Sequence, residues 1–249
     1  MTRPLILDLC CCAGLASLGY HQAGFDVVGV DIEDHPNYPF HFLHADALDV
    51  LADTAFCRQF DAIHASPPCQ NDTRSTAPQR AAGKVYPKLI EPFRERLEAI
   101  GLPYIMENVP EAPLRRDIVL TGFMFGLKVQ RARVFELGHW WAMQPQGQPR
   151  GYNVTRDERG TRARVKSVMT GDFVTVYGKQ GYRKSRLCPP GWRPKFDQGT
   201  GLKTWHYAMG IPPEYKFKDT ELAEGIPPAF TRCLGGLLMD YLRRQRSFV

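Results

Sequence analysis

Residues 7–32 read LDLCCCAGLASLGYHQAGFDVVGVDI, and this stretch decides the fold that the sequence predicts. The apolar run Pro4–Cys10 predicts a buried strand, the apolar spacing of Gly14–Ala23 predicts a helix, and Asp26–Ile32 predicts a second strand. A tight turn between strand and helix offers backbone N–H groups to a ligand, and an acid about 20 positions on, here Asp31, suits ribose hydroxyls. The stretch therefore indicates a nucleotide-cofactor site, although a plain strand–helix–strand unit would show the same pattern.

The alternation of strands and helices continues along the chain. Strands are predicted at Phe40–Ala45, Phe60–Ser66 and Pro103–Val109, further strand candidates at Val119–Met124 and Val134–Leu137, and helices at Asp46–Phe56, Lys88–Ile100 and Ala229–Arg246. Strands that alternate with helices form a mostly parallel sheet, because a crossover helix returns the chain to the same end of the sheet. We therefore predict an α/β fold with a Rossmann-like, doubly wound, mostly parallel sheet.

The composition excludes membrane-spanning, fibrous and disulfide-framework proteins. Of 249 residues, 43% are hydrophobic and 23% charged, which is ordinary for a globular protein, and no run of about 18 uncharged apolar residues exists. Asp8 interrupts the apolar start, so that start predicts a strand rather than a secretory signal. Seven cysteines, three of them adjacent at 10–12, predict free thiols and a cytoplasmic location.

The positive charge is concentrated in one region. Residues 147–204 hold thirteen Lys and Arg against four Asp and Glu, a local net charge of +9, whereas the whole chain carries +6. Helical spacing is missing there, and only short β-prone pieces occur, at Arg164–Met169 and Asp172–Tyr177. We predict a main domain at 1–138, a small irregular basic domain at 139–204, and a segment at 205–249 that packs back on the main domain. The basic domain suits a polyanion, although a solvated basic loop is the alternative.

Two reactive side chains follow neighbouring predicted strands. Cys69 lies in ASPPCQ, residues 65–70, and Glu107 lies in ENV, residues 107–109. Ligands of open parallel sheets bind beyond the carboxyl ends of the strands, and an accessible thiolate is a strong soft nucleophile. Alone, Cys69 fits a packing residue and Glu107 a surface carboxylate. Together they predict a catalytic site, provided that their strands are neighbours.

These blocks, in this order and followed by QRARVF at 130–135, resemble the DNA cytosine-5 methyltransferase family. The resemblance covers residues 5 to about 137 and resumes weakly at 224–238, and VVGVDIEDHPNYPF at 27–40 is similar to compact phage-encoded members. It implies a class I S-adenosylmethionine-dependent methyltransferase fold with a target-recognition domain. It also implies methyl transfer to carbon 5 of a flipped cytosine in double-stranded DNA. A monomer is expected, in the host cytoplasm if the protein is phage-encoded, with a role in DNA modification such as restriction–modification.

The resemblance also implies roles for individual residues. Cys69 matches the nucleophile that adds to carbon 6, Glu107 the acid at ring nitrogen 3, and Asn108 the residue that holds the nucleophile's loop. Arg131 and Arg133 match a pair that orders the site, one of them at the cytosine carbonyl. The implied cofactor-binding residues are Leu9, Cys10, Ala13, Gly14, Leu15, Asp31, Ile32, Asp46, Ala47 and Pro67, and the implied DNA-binding residues are Gln70, Arg162, Arg164, Lys166, Lys179, Arg183, Lys184 and Arg186. No metal is expected, and a helix N-cap is the alternative role of Asp46.

The turn after the first strand departs from the family pattern. The family reads Asp-Leu-Phe-x-Gly-x-Gly, whereas this chain has Cys10 for the Phe and Cys12 for the first Gly. A Cβ at Cys12 opposes the close approach and positive φ that glycine permits. Two alternatives therefore stay open beside methyl transfer: the same chemistry with a different donor, and a DNA-binding homologue with impaired catalysis. Transfer to RNA is a further alternative.

Overall fold

A computed structural model describes residues 2–73, 76–147, 173–174, 176 and 193–247. The strands are β1 (Leu5–Leu9), β2 (Asp26–Asp31), β3 (His41–His44), β4 (Ala62–Ala65), β5 (Tyr104–Asn108), β6 (Ile118–Leu120) and β7 (Arg133–Gly138). The helices are α1 (Leu15–Ala23), α2 (Ala47–Ala52), α3 (Thr54–Cys57), α4 (Ala77–Ala81), α5 (Ile90–Ile100), α6 (Gly201–Ala208), α7 (Asp219–Glu224) and α8 (Pro228–Ser247), with a 3-10 helix at Gly122–Phe125.

The strands form one seven-stranded sheet in the order β3-β2-β1-β4-β5-β7-β6. The pairs β1–β2, β2–β3, β1–β4 and β4–β5 are parallel, whereas β7 runs antiparallel to both β5 and β6. The order reverses at β1 and β4, and in such sheets the ligand crevice lies beyond the carboxyl ends of the strands at that point. The predicted doubly wound, mostly parallel sheet is confirmed.

Alternate residues of the strands face two different helical layers. Leu7, Ile63 and Met106 pack in the cluster that includes α2 and α5, whereas Ile6 and Ile105 pack with α1 and α8 on the other face. Successive strand residues point to opposite faces, so both faces of a sheet that is covered twice are apolar. The core of the fold is therefore two apolar layers with the sheet between them.

The C-terminal helix packs directly on α1. Thr231 of α8 donates its hydroxyl hydrogen to the carbonyl of Ala16 at 2.8 Å. Gly19 lies opposite, where an added Cβ would meet Thr231 Oγ1 at 2.0 Å and the Pro228 carbonyl oxygen at 2.2 Å. The close approach of the two helices therefore requires glycine at this position.

Several predicted element boundaries were wrong. The predicted helix Asp46–Phe56 is two helices, because Asp53 ends α2 and its side chain accepts the Phe56 N–H to start α3. The predicted strand Val119–Met124 ends at Leu120 and continues as the 3-10 helix, whose Gly122 N–H bonds the Gln130 carbonyl instead of a strand. The predicted helix Gly14–Ala23 begins one residue later, with Gly14 as a left-handed N-cap.

The basic region lies mostly outside the described residues, as does the predicted β-prone piece Arg164–Met169. Of the piece Asp172–Tyr177, Phe173, Val174 and Val176 are described and buried, and Val174 and Val176 pack in a cluster with Trp205. The six cysteines in the described part of the chain are free thiols. No helix among these residues combines the length and apolar character needed to cross a membrane.

Replacement of Gly19 by alanine should destabilise the fold by about 1–3 kcal/mol, because the new methyl group overpacks the α1–α8 interface. The matched control is Gly236→Ala on α8, where an added Cβ meets nothing within 4 Å. That substitution should be neutral or stabilise by up to about 1 kcal/mol, since alanine favours helix. Urea unfolding followed by circular dichroism measures both; equal midpoints for the two variants would contradict the interface described above.

Candidate active site

The candidate site lies where β4 and β5 end. These strands are parallel neighbours, with Ala65 paired to Met106 as the last pair of the register. One residue further along each strand stand Ser66 and Glu107. The neighbouring strands therefore bring Glu107 and the loop that carries Cys69 to the same edge of the sheet, as the catalytic interpretation requires.

The Cys69 loop is held by hydrogen bonds at both ends. Asn108 donates its side-chain amide to the Pro67 carbonyl at 2.9 Å. The Cys69 carbonyl accepts the N–H groups of Asp72 at 2.9 Å and Thr73 at 2.8 Å, which forms a tight turn after the thiol. The half-buried thiol is thus fixed relative to β5 rather than carried by a free loop.

Opposing effects act on the Cys69 thiol. Burial raises its pKa, whereas the positive charges of Arg133 and Arg131 lower it and the negative charge of Glu107 raises it. A thiolate is the reactive form of cysteine, and nearby cations favour that form. On balance the pKa of Cys69 is raised by its burial, and the two arginines limit that rise.

Glu107 is a buried carboxyl group with a direct cationic partner. Arg133 Nε lies 2.8 Å from Glu107 Oε1. Burial raises the pKa of Glu107, and the charges of Arg133 and Arg131 oppose that rise. A carboxyl group whose pKa is raised toward neutrality can carry a proton to a substrate at physiological pH.

Arg131 is half-buried and its backbone is strained. Its φ is +39°, in the left-handed region that non-glycine residues rarely adopt. Its guanidinium donates to the Val176 carbonyl at 2.8 Å and to the Ala223 carbonyl at 2.5 Å. Burial, helped by the charge of Arg133, lowers its pKa to about 9. Arg131 thus connects the edge of the sheet to Val176 and to α7.

One buried polar atom at this edge, Arg131 Nε, makes no hydrogen bond with any described residue, whereas Glu107 Oε1 has its ion pair with Arg133. A buried polar atom without a partner is costly, and such atoms are typical of sites that a ligand completes. The positive charge of Arg131 also acts on the Cys69 thiol.

The cysteine turn after β1 adopts the glycine-like conformation that the family pattern requires. Cys10 and Cys12 have φ of +56° and +46°, and Gly14 has φ of +90°. The Cys12 N–H donates to Asp31 Oδ2 at 2.9 Å. The turn therefore forms despite the Cβ at Cys12, with Asp31 as its anchor.

The residues after β2 combine an acid with an exposed apolar side chain. Asp31 also accepts the Glu33 N–H through Oδ1 at 3.0 Å, and it retains lone pairs for further donors. The Ile32 side chain next to it is 65% exposed, which is unusual for a large apolar group. Asp46 is exposed and caps α2 by accepting the Leu48 N–H at 2.7 Å, which is the helix N-cap role that the sequence left open.

Cys12, Asp31 and His35 each place one potential metal-ligand atom within 4.8 Å of the others. The Asp31 carboxylate is already engaged by two backbone N–H groups. Three donors without a fourth do not form a closed structural zinc site.

The remaining predicted site residues divide into three groups. The side chains of Leu9, Ala13, Leu15 and Ala47 are buried in the core. Gln70 is exposed, and its carbonyl is held by Arg80 at 2.9 Å. The predicted DNA-binding residues Arg162, Arg164, Lys166, Lys179, Arg183, Lys184 and Arg186 lie outside the described residues.

Four polar residues near the site were missed by the sequence reasoning: Asp8, Ser17, His64 and Ser66. Asp8 and His64 are paired across β1 and β4, and both are completely buried. Ser17 of α1 donates its hydroxyl to Asp8 Oδ2 and bonds the Tyr38 hydroxyl at 2.7 Å. The signal was present, because a charged or titratable residue inside an apolar strand is itself unusual.

Three solved structures share this arrangement of elements. A protein described as a DNA modification methyltransferase encoded within an E. coli prophage superposes with a TM-score of 0.58 at 15% identity, over 96% of this chain and 99% of that one. The S. pombe Dnmt2 methyltransferase gives 0.57 at 15% identity, over 96% and 99%. A mutant of Spodoptera frugiperda DNMT2 gives 0.56 at 15% identity, over 95% and 99%.

The chain has the fold of these methyltransferases. The likeness extends over nearly the whole length of both partners, so it includes the elements after α5 as well as the parallel part of the sheet. No family model matches the sequence, and no curated protein matches it. The tertiary structure therefore shows the methyltransferase fold, although comparison of the whole sequence finds no match.

Asp8 should make stability depend on pH. Burial raises its pKa from 3.8 to about 7, opposed by the hydrogen bond from Ser17. The folded state thus holds a proton that the unfolded state releases, so stability falls as pH rises from about 4 to 7. Asp8→Asn should remove this loss. The free energy of unfolding of the variant, measured relative to that of the wild-type protein, should therefore be higher at pH 8 than at pH 4 by about 2–4 kcal/mol.

Urea unfolding at both pH values provides the measurement. Asp46→Asn is the matched control, because asparagine caps a helix as well as aspartate and residue 46 is exposed. If the difference in unfolding free energy between Asp8→Asn and the wild-type protein were the same at pH 4 and at pH 8, the raised pKa of Asp8 would be contradicted.

Proposed function

We propose that this protein is a DNA cytosine-5 methyltransferase that acts through a covalent adduct between Cys69 and carbon 6 of the target cytosine. The observation that carries the proposal is the meeting of a thiol, a buried acid and two arginines at the ends of β4 and β5. The fold of the three solved methyltransferases agrees with it. A DNA-binding role alone needs neither a nucleophile nor a buried acid.

Cys69 would make carbon 5 reactive. Carbon 5 of cytosine is a poor nucleophile, and addition of a thiolate to carbon 6 converts the C5–C6 double bond into an enamine-like system. The charges of Arg133 and Arg131 favour the thiolate. After methyl transfer, loss of the proton on carbon 5 expels the sulfur and restores both the ring and Cys69.

Glu107 would stabilise the negative charge that this addition produces on the ring. Electron density from the attacking sulfur moves to ring nitrogen 3, and a proton from Glu107 stabilises it there. Burial raises the pKa of this carboxyl group, so the protonated form is available nearer neutral pH than in water. Its Oε1 is paired with Arg133 Nε at 2.8 Å, and this pairing would hold the carboxyl group in position for the base.

The donor pocket fits S-adenosylmethionine. The Asp31 carboxylate would accept ribose hydroxyls, the exposed Ile32 would cover one face of the adenine ring, and Asp46 would receive the adenine amino group. Buried Asp8 Oδ1 has no described partner and marks a polar position below the turn. When bound, the sulfonium supplies an electrophilic methyl group. The turn after β1 adopts the left-handed conformation in spite of Cys12, so no other donor is proposed.

Double-stranded DNA is the proposed substrate. A stacked cytosine hides carbon 6, so the base must leave the duplex to reach a thiol at a sheet edge, at a cost of a few kcal/mol. The +9 region at 147–204 provides cations for the phosphates. We propose that its arginines and lysines named above hold the duplex while Cys69 and Glu107 act on the flipped base.

Cys69→Ala should abolish methyl transfer, by about 10³-fold or more, while DNA binding persists, because the substitution removes the nucleophile and no phosphate contact. Mass spectrometry of nucleosides from DNA and RNA incubated with the protein and S-adenosylmethionine measures transfer. Wild-type protein should yield 5-methylcytosine in DNA. The matched control is Cys233→Ala, a half-buried thiol on α8 that lies outside the proposed site and should leave transfer unchanged.

Covalent trapping tests the mechanism separately. Fluorine on carbon 5 blocks the final proton loss, so DNA with 5-fluorocytosine should form a denaturation-resistant adduct with wild-type protein and none with Cys69→Ala. Full transfer by Cys69→Ala would refute the covalent mechanism. A mass increment other than one methyl group would refute the donor, and modified RNA with unmodified DNA would refute the substrate.

A further inference from the structure

A chain of hydrogen-bonding groups runs from α1 to the proposed acid. The Tyr20 hydroxyl lies 2.9 Å from His64 Nδ1, and His64 Nε2 lies 2.8 Å from the Ser66 hydroxyl. Ser66 follows Ala65 as Glu107 follows Met106 on the neighbouring strand, so the two residues lie side by side, and a hydrogen bond from the Ser66 side chain lowers the pKa of the Glu107 carboxyl group. Tyr20 and His64 are completely buried, and the proposed mechanism uses neither of them.

Burial fixes the charge of the imidazole. It lowers the pKa of His64 to about 3, so the ring is neutral wherever the protein works. A neutral imidazole has one N–H donor and one acceptor nitrogen. Each nitrogen has one hydroxyl partner, so the tautomer of His64 decides which hydroxyl donates and which accepts.

The two tautomers have different consequences for Glu107. With the proton on Nε2, His64 donates to Ser66 Oγ, Tyr20 donates to Nδ1, and the Ser66 hydrogen is left to point at Glu107. With the proton on Nδ1, the Ser66 hydrogen is used on Nε2, and Ser66 can only accept from Glu107. That second arrangement would take up the acid's proton, which a base nitrogen needs.

We propose that His64, fixed by Tyr20, is a positioning residue that keeps the Ser66 hydroxyl donating to the Glu107 carboxyl group, so that a proton on this acid is directed to ring nitrogen 3 of the base and not to Ser66. The inference rests on the proposed function for its catalytic meaning. No net proton moves along the chain of groups, because ionisation of buried Tyr20 would be unfavourable. His64 acts only through orientation.

Other charged and titratable groups also face Glu107 and contribute to its titration: Arg133, Arg131, Cys69, Asp8 and Tyr20. They are unchanged when Ser66 or His64 is substituted. A shift seen on those substitutions therefore reports the hydrogen bond from Ser66. The direction is fixed, since loss of a donor to a carboxylate disfavours the ionised form and raises the pKa.

The first experiment does not depend on methyl transfer. ¹⁵N NMR of the histidine rings should show the Nε2–H tautomer for His64 in the wild-type protein. ¹³C NMR of labelled glutamate, with Glu107→Gln for assignment, should give a pKa of Glu107 that rises by about 1 unit in Ser66→Ala. His64→Leu should raise it in the same direction, and His64→Gln should restore most of the wild-type value, because its amide can donate to Ser66.

Tyr20→Phe removes only one oxygen atom, so it is the variant least expected to disturb the fold. Without the Tyr20 hydroxyl the tautomer of His64 is no longer fixed, and the pKa of Glu107 should rise. Tyr104→Phe is the matched control: this buried tyrosine hydroxyl bonds Glu98 at 2.7 Å and lies on a different network, so the pKa of Glu107 should not change. An Nδ1–H tautomer in the wild type, or an unchanged pKa in both Ser66→Ala and Tyr20→Phe, would overturn the proposal.

The second experiment measures the catalytic consequence. In Ser66→Ala and His64→Leu, kcat should fall about tenfold with KM for DNA unchanged, and the alkaline limb of the pH–rate profile should move up by about 1 pH unit. A fall in kcat with an unmoved limb would mean a merely structural role and would also overturn the proposal. Wild-type protein that shows the NMR behaviour but no transfer would instead refute the proposed function alone.

Discussion

The parallel pairing of β4 with β5 is the constraint on which the site depends. The register that pairs Ala65 with Met106 places the Cys69 loop and Glu107 at the same edge of the sheet. Asn108 then ties that loop to β5, and Arg133 on the next strand reaches Glu107 from the other side. A shift of one residue would turn the Glu107 side chain to the opposite face, because strand side chains alternate. The thiol and the acid would then no longer lie on the same side of this edge.

That geometry requires buried polar groups, and α1 supplies their partners. Asp8 and His64 lie on the sheet face that α1 covers, and each would be costly without a hydrogen bond. Ser17 and Tyr20, three residues apart on α1, bond Asp8 and His64 respectively. Residues spaced three apart point to the same side of a helix, so one helix serves two strands.

The position of α1 in turn depends on the end of the chain. α8 packs on α1 where Gly19 lets the backbones approach and where Thr231 bonds the Ala16 carbonyl. Arg131 connects the sheet edge to the carbonyls of Val176 and Ala223 in the same way. Segments far apart in sequence therefore fix the helix and the arginine that surround the site. This explains why the likeness to the solved methyltransferases extends over nearly the whole chain.

The sequence by itself determined the layers of the fold and the candidate site residues. Apolar runs at β1, β2, β4 and β5 with helices between them predict a parallel sheet from local periodicity alone, and the ProCysGln and GluAsnVal blocks single out Cys69 and Glu107. Capping also acts locally, but the break at Asp53 was missed because one aspartate can either continue or end a helical pattern. The tertiary structure decided three other features: the antiparallel β7 that carries Arg133, the left-handed backbone at Cys12, and the link from Tyr20 through His64 and Ser66 to Glu107. Apart from the bond between His64 and Ser66, these features depend on contacts between residues 19 to 44 positions apart. The geometry of such contacts is set by packing of the whole chain rather than by the preferences of neighbouring residues.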